Sequence, residues 1–246
     1  MNILSSIALV TGSSKGIGRA TALMLTKNGA SVIINYSHDK IAAEATLHEC
    51  NKFSQGNVIF KADITNQGEL IELGKFIKNT FGKLDILVNN AGIFDGTDRL
   101  RSLTSFENVF NHNFFGQIRV TNMVLPYMTK GKIVNVSSIH GRLGTIRKDA
   151  PAYVASKAAL NSYTKNLASA LAPNILVNAV APGKTYTPMW GGLSLEEQNQ
   201  IGEDQLIGRM IEPEEVADAI EFLIKNDAMV GEILVIDGGL SLKVLG

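Results

Sequence analysis

The chain of 246 residues is 45% hydrophobic and 19% charged, with 23 basic and 23 acidic side chains. That balance excludes a global field that recruits nucleic acid or an anionic membrane surface, and it points to a small-molecule partner. Cys50 is the only cysteine, which excludes an intrachain disulfide and a cysteine-based zinc site, and no metal is expected. No apolar run approaches the ~18 residues of a membrane span. The expectation is a cytoplasmic protein, neither secreted nor inserted.

Short β-branched runs alternate with longer helical patterns along the whole chain. Strands are predicted at 7–10, 31–36, 57–62, 84–88, 132–136, 175–180 and 232–236, and helices at 16–28, 40–52, 67–81, 103–128, 152–171 and 213–225. Most strand runs are apolar on both faces, as parallel strands covered on two sides must be. The alternation argues for the α/β class: a single-domain, Rossmann-type doubly wound parallel sheet flanked by helices. It would span 1–246 and take ligands at the carboxyl ends of its strands.

The first strand runs into Thr11-Gly12-Ser13-Ser14-Lys15-Gly16-Ile17-Gly18 and then a helix. Gly12 permits a tight turn, Gly16 lets backbone approach a pyrophosphate, and Gly18 lets helix and sheet pack closely. The helix N-terminus then offers amides and partial positive charge to phosphates. An ordinary glycine-rich turn is the alternative, but the position between a first strand and a first helix favours dinucleotide binding.

Later strands also end in polar or glycine residues: Asp63-Ile64, Asn89-Asn90-Ala91-Gly92, Ser137-Ser138, and Ala181-Pro182-Gly183 followed by Thr187. Any one could be a structural cap. Their recurrence on one sheet edge marks a crevice.

Tyr153 and Lys157 stand four apart in an apolar, alanine-rich helical run, so both side chains leave one face. A phenol titrates near ~10 and is a poor acid at neutral pH. A nearby ammonium favours the phenolate, making the tyrosine a usable proton donor to a carbonyl or acceptor from an alcohol.

With these motifs in this order, the sequence resembles the short-chain dehydrogenase/reductase family over essentially its whole length, and within it the 3-oxoacyl-[acyl-carrier-protein] reductases. The resemblance implies a seven-stranded sheet and a nicotinamide dinucleotide across the strand ends. It implies catalytic roles for Asn113, Ser138, Tyr153 and Lys157, with Asn113 bending its helix and fixing a water beside the lysine. Cofactor contacts are expected from Gly12, Ser14, Lys15, Gly16, Ile17, Gly18, Tyr36, Ser37, Asp63, Ile64, Asn90, Ala91 and Gly92. At the nicotinamide end they are expected from Tyr153, Lys157, Pro182, Gly183, Thr185 and Thr187.

The activity implied is an NADP(H)-dependent oxidoreductase working on a carbonyl or secondary alcohol, most like a 3-oxoacyl reductase. A sugar, polyol or steroid dehydrogenase using NAD(H) is the alternative within enzymes, and a non-catalytic dinucleotide-binding regulatory protein is the alternative outside them. Two departures weigh against an acyl carrier partner: the turn at 128–132 is short, and Pro173-Asn174 stands where those reductases often carry an arginine. The loop at 139–152 is about two residues longer than in that group. Its Arg142, Arg147 and Lys148 read as a solvated charged loop, with an anionic substrate as the alternative.

Substrate recognition is assigned to 184–205, with the only tryptophan, Trp190, and to a wall at 93–100; His140 is a further candidate. Trp190 either packs on the loop base or meets substrate. NADP(H) is preferred because Tyr36 stands where a carboxylate would accept from both ribose hydroxyls, while Lys15, Ser37 and His38 can meet a 2′-phosphate. A homo-oligomer, tetramer or dimer, is expected through the 152–171 helix and the long helix before it.

Overall fold

The structure is a computed structural model and describes residues 1–95, 100–142 and 149–242. Arg147, Lys148 and the middle of the expected 93–100 wall lie outside the described residues. The chain runs β1 (Ile7–Val10), α1 (Gly16–Lys27), β2 (Ser31–Tyr36), α2 (Lys40–Cys50), β3 (Val58–Lys61), α3 (Gln67–Thr80) and β4 (Ile86–Asn89). Helix α4 (Leu103–Phe110), a π turn (Asn111–Gly116) and α5 (Gln117–Val124) follow. Then come β5 (Gly131–Val136), α6 (Pro151–Leu171), β6 (Ile175–Pro182), α7 (Leu195–Gly202), α8 (Pro213–Lys225) and β7 (Ile233–Ile236).

The seven strands form one sheet in the order β3-β2-β1-β4-β5-β6-β7, every pair parallel. Alternate strand residues feed two apolar layers. Ala8, Val10, Val32, Ile34 and Val88 pack toward α1, α2 and α8, whereas Leu9, Ile33, Leu87, Ile133 and Val177 pack toward α3, α5 and α6. The chain reverses direction across the sheet between β1 and β4, and this switch point opens the crevice at the carboxyl edge.

Local chemistry sets the helix starts. Asp39 accepts from Ala42 N–H at α2, Asn66 from Gly68 and Glu69 at α3, Ser102 from Ser105 at α4, and Ser194 pairs with Glu197 in a reciprocal cap at α7. Proline opens α6 and α8, where its missing N–H costs nothing.

The single helix predicted at 103–128 is a correction, although the bend that the resemblance implies at Asn113 falls inside the interruption. It is interrupted by the π turn and ends in a 3-10 turn at Leu125–Tyr127. The cause is tertiary: Asn113 is drawn inward, and a Cβ on Gly116 would lie 2.8 Å from Ile64 Cδ1, so the turn sits close against the segment that follows β3. Hydropathy is blind to one extra residue in a turn.

Candidate active site

Along the carboxyl edge runs a cavity of about 780 Å³, lined from Lys15, Ser37 and His38 at one end to Ser138, Tyr153, Lys157 and Trp190 at the other. Its glycine turn is built for close approach. Gly12 and Gly16 have φ of 61° and 58°, a region that only glycine enters readily. A Cβ on Gly18 would lie 2.5 Å from Gly12 O and 2.9 Å from Ser13 Cα, so α1 can start this near the turn only without one. No side chain caps the first amides of α1, which leaves its N-terminus to whatever occupies the cavity.

Neighbouring strands hold the turn in place. Asn35, buried on β2, donates to Phe60 O and Ala62 O at 3.3 and 2.9 Å and accepts from Gly12 N–H at 3.3 Å. Asn90 donates to Thr11 O at 2.9 Å and Gly12 O at 3.1 Å, and Thr11 Oγ1 accepts from the Asn90 and Ala91 amides. The Asn90 side chain therefore positions the glycine turn while its residue lines the cavity. Asp63 and Ile64 line the same wall. Burial pushes the Asp63 carboxyl up, but bonds from the N–H and O–H of Thr65 outweigh it and hold the group below its usual value.

At the Lys15 end of the cavity one residue differs from expectation and another has an unexpected partner. Tyr36 is buried in the apolar layer with Ile34 and Ala43, and Asn35, Ser37 and His38 face the cavity in its place. A strand alternates its faces, so the position that ends β2 points into the core. Lys15 is held by Asp39, its Nζ 2.9 Å from Oδ2.

At the other end Ser138, Tyr153 and Lys157 line the cavity, with Asn113 buried behind its wall. Ser138 lies two residues beyond β5 and starts a short turn, accepting from His140 N–H at 3.2 Å, so its own hydrogen can be donated elsewhere. Tyr153 and Lys157 lie one turn apart on α6, with Lys157 Nζ 5.8 Å from the centre of the tyrosine ring. Lys157 is buried and donates to Val136 O at 2.8 Å. Burial lowers its pKa to about 8. Asn113 is fully buried, which excludes a solvated helix position. It accepts from Ile93 N–H at 2.7 Å and donates to Ile93 O at 2.9 Å. A Cβ on Gly92 would lie 2.9 Å from Asn113 Oδ1 and 3.8 Å from Lys157 Nζ, so glycine there lets the β4 loop reach both.

Above this floor, Phe94 meets the Tyr153 ring edge to face at 5.5 Å between centroids. Trp190 packs on the loop base, where Nε1 donates to Thr185 O at 2.8 Å, and it also lines the cavity beside Met189 and His140. Thr185 is buried, with Thr187 and Pro188 beyond it; a Cβ on Gly16 would come within 3.3 Å of Thr187 Cγ2. The base of this loop is fixed by Gln205, which accepts from Lys184 N–H at 2.9 Å and donates to Arg209 O at 2.7 Å. Pro182 ends β6 and Gly183 follows it, the Gly183 N–H donating to Ile236 O at 2.8 Å.

Sequence reasoning passed over Asn35, Asp39 and Gln205. A signal exists for the first, because asparagine disfavours strand and stands inside the run at 31–36.

A parallel sheet with a glycine turn at its switch point and a tyrosine–lysine pair across the same cavity defines a dinucleotide-dependent oxidoreductase. Residues 6–198 match the family model described as short chain dehydrogenase. The chain belongs to the short-chain dehydrogenase family. It is 36% identical to a 3-oxoacyl-[acyl-carrier-protein] reductase of Synechocystis sp., over 97% of this chain and 98% of that protein. It is 35% identical to cis-4-hydroxycyclohexanecarboxylate dehydrogenase of Sinomonas cyclohexanicum, over 95% of each. Among solved structures, ligand-free aldohexose dehydrogenase of Thermoplasma acidophilum superposes with a TM-score of 0.86 at 29% identity, covering 99% of this chain and 96% of that one. The family acts on CH–OH and C=O groups with a nicotinamide cofactor, and the tight glycine cradle and its uncapped helix fit the pyrophosphate of such a group. Among the described residues no helix is long and apolar enough to cross a membrane.

Proposed function

We propose that the protein is an NADP(H)-dependent carbonyl reductase, most like a 3-oxoacyl reductase, working in the reducing direction. The observation that carries this is the convergence of Ser138, Tyr153 and Lys157 in one cavity whose far end holds Lys15, Ser37 and His38. A bound nicotinamide supplies the hydride that turns a carbonyl into an alkoxide. Tyr153 gives its proton to that oxygen, and Ser138 donates a hydrogen bond that orients it. Lys157, fixed by Val136 O, stabilises the phenolate left behind. Asn113 holds the loop at Ile93 and keeps the lysine's surroundings in register.

The substrate end favours an apolar carbonyl compound. Ile93, Phe94, Met189 and Trp190 wall it, and the indole N–H is already engaged by Thr185. Hydroxyls of a sugar or polyol would be desolvated against these side chains without partners from them. Absorbance of the nicotinamide during turnover of a panel of 3-oxoacyl thioesters, simple ketones, hydroxyketones and aldoses tests the reading. Reduction of oxoacyl thioesters or ketones supports it; aldose oxidation alone would replace it with the sugar dehydrogenase, and no turnover with intact dinucleotide binding would favour a regulatory protein.

A further inference from the structure

Behind Lys15, which lines the Ser37 and His38 end of the cavity, stands a carboxylate that does not itself line it. Asp39 lies three residues beyond β2, and its two oxygens have separate tasks. Oδ1 accepts from Ala42 N–H at 3.0 Å and caps α2, while Oδ2 sits 2.9 Å from Lys15 Nζ. The cap fixes the carboxylate, and the carboxylate fixes the lysine. Lys15, Ser37 and His38 all line the cavity, and Ser37 Oγ and His38 Nδ1 are 2.8 Å apart.

We infer that Asp39 is a specificity-determining residue for the cofactor, setting how strongly a phosphate on the adenosine ribose is favoured. The inference rests on the reading that this end takes that ribose. An ammonium has three N–H donors, so Lys15 can serve Asp39 and a phosphate together. Charge is a different matter: the pair Lys15 and Asp39 sums to zero, so a phosphate arriving there meets a donor with no net field behind it. Removing the carboxylate charge leaves one uncompensated positive charge beside the same donors. Lys15 and Asp39 are 50% and 43% exposed, so the effect is moderate and screened by salt.

Asp39→Asn isolates the charge, because asparagine caps a helix about as well as aspartate. Asp39→Ser, also a good cap, serves as the second variant. Calorimetric titration with adenosine 2′,5′-bisphosphate and with adenosine 5′-monophosphate reads the ribose end without turnover. In Asp39→Asn the bisphosphate is expected to bind about five- to tenfold more tightly at ~50 mM salt, with most of the gain gone near ~0.5 M. The monophosphate should change by less than about twofold. Equal changes for both ligands, or a selective loss of monophosphate affinity, would overturn the inference; the second result would mean that Asp39 accepts from ribose hydroxyls. Failure of wild type to bind either nucleotide would overturn the reading of this end as well.

Discussion

Asn113 makes a two-point hydrogen bond with the backbone of Ile93, accepting from N–H at 2.7 Å and donating to C=O at 2.9 Å. The bond fastens the π turn to the segment that follows β4, so helix and strand loop meet beside Lys157. Asn113→Ala leaves two inward-facing backbone groups without their partner, at about 1–3 kcal/mol for each that stays unpaired. Turnover is expected to fall about ten- to a hundredfold with cofactor affinity little altered, and the melting temperature to drop by several degrees. Wild-type turnover in a variant with that lowered melting point would confine Asn113 to a structural role.

The π turn also marks where the sequence stops being legible. The strands, the glycine turn and the Tyr153–Lys157 spacing follow from period and residue type, which act locally. The seven strands and their parallel direction could be expected from alternation, whereas their order across the sheet could not. The interruption at Asn111–Gly116 depends on what Gly116 and Asn113 touch, namely Ile64 and Ile93, residues distant in sequence. Lys15 with Asp39 is a similar case, since a pair 24 residues apart leaves no periodic trace. The inward turn of Tyr36 was within reach, because strict alternation along β2 puts it on the face of Ile34.

Tyr153→Phe keeps the ring and its edge contact with Phe94 but removes the proton donor. Turnover is expected to fall by ~10²–10⁴ with dinucleotide affinity nearly unchanged. Steady-state kinetics beside a binding titration checks both halves. Near-normal turnover would remove Tyr153 from the mechanism.

Burial holds Lys157 near a pKa of about 8, below the ordinary value of 10.5. The cation is present below that pH and is lost as pH rises through it, so kcat/KM for carbonyl reduction should decline above about pH 8. For stability the sign is opposite. Between about 8 and 10.5 the unfolded chain binds more protons at this site, so the group's penalty on folding fades as pH rises. A flat kcat/KM profile from about pH 7 to 9.5 would show that the charge of Lys157 does not govern the chemical step.

A half-buried aromatic series runs beside α6. Phe106, Phe110 and Phe114 follow one another at 6.4 and 6.1 Å between ring centroids, Phe114 meets Tyr163 at 6.0 Å, and Leu103 and Phe115 are exposed. Apolar surface of this kind favours pairing across a two-fold, and the chain is expected to be a dimer or tetramer in solution. Phe115→Glu should shift the assembly toward smaller species. Light scattering that finds a monomer at micromolar concentration in the wild type would refute the expectation.

The proposed cofactor preference is expected to turn on Lys15. Among the described residues the position that ends β2 offers no carboxylate, since Tyr36 is turned into the core and the cavity wall there is Asn35, Ser37 and His38. Those groups suit a phosphate better than a bare ribose only with a cation beside them. A charge-assisted hydrogen bond is worth about ten- to a hundredfold in affinity, and a lysine that is half exposed and shared with Asp39 belongs at the lower end. Wild type is therefore expected to favour NADPH over NADH by about tenfold in kcat/KM. Lys15→Ala removes the cation yet leaves Asp39 and its cap of α2 in place, so the remaining charge is negative and the preference should vanish or reverse. The two cofactors should be compared at one low salt concentration, because screening compresses the ratio. A wild type that prefers NADH, or a Lys15→Ala variant with an unchanged ratio, would show that this end of the cavity does not read the phosphate through Lys15.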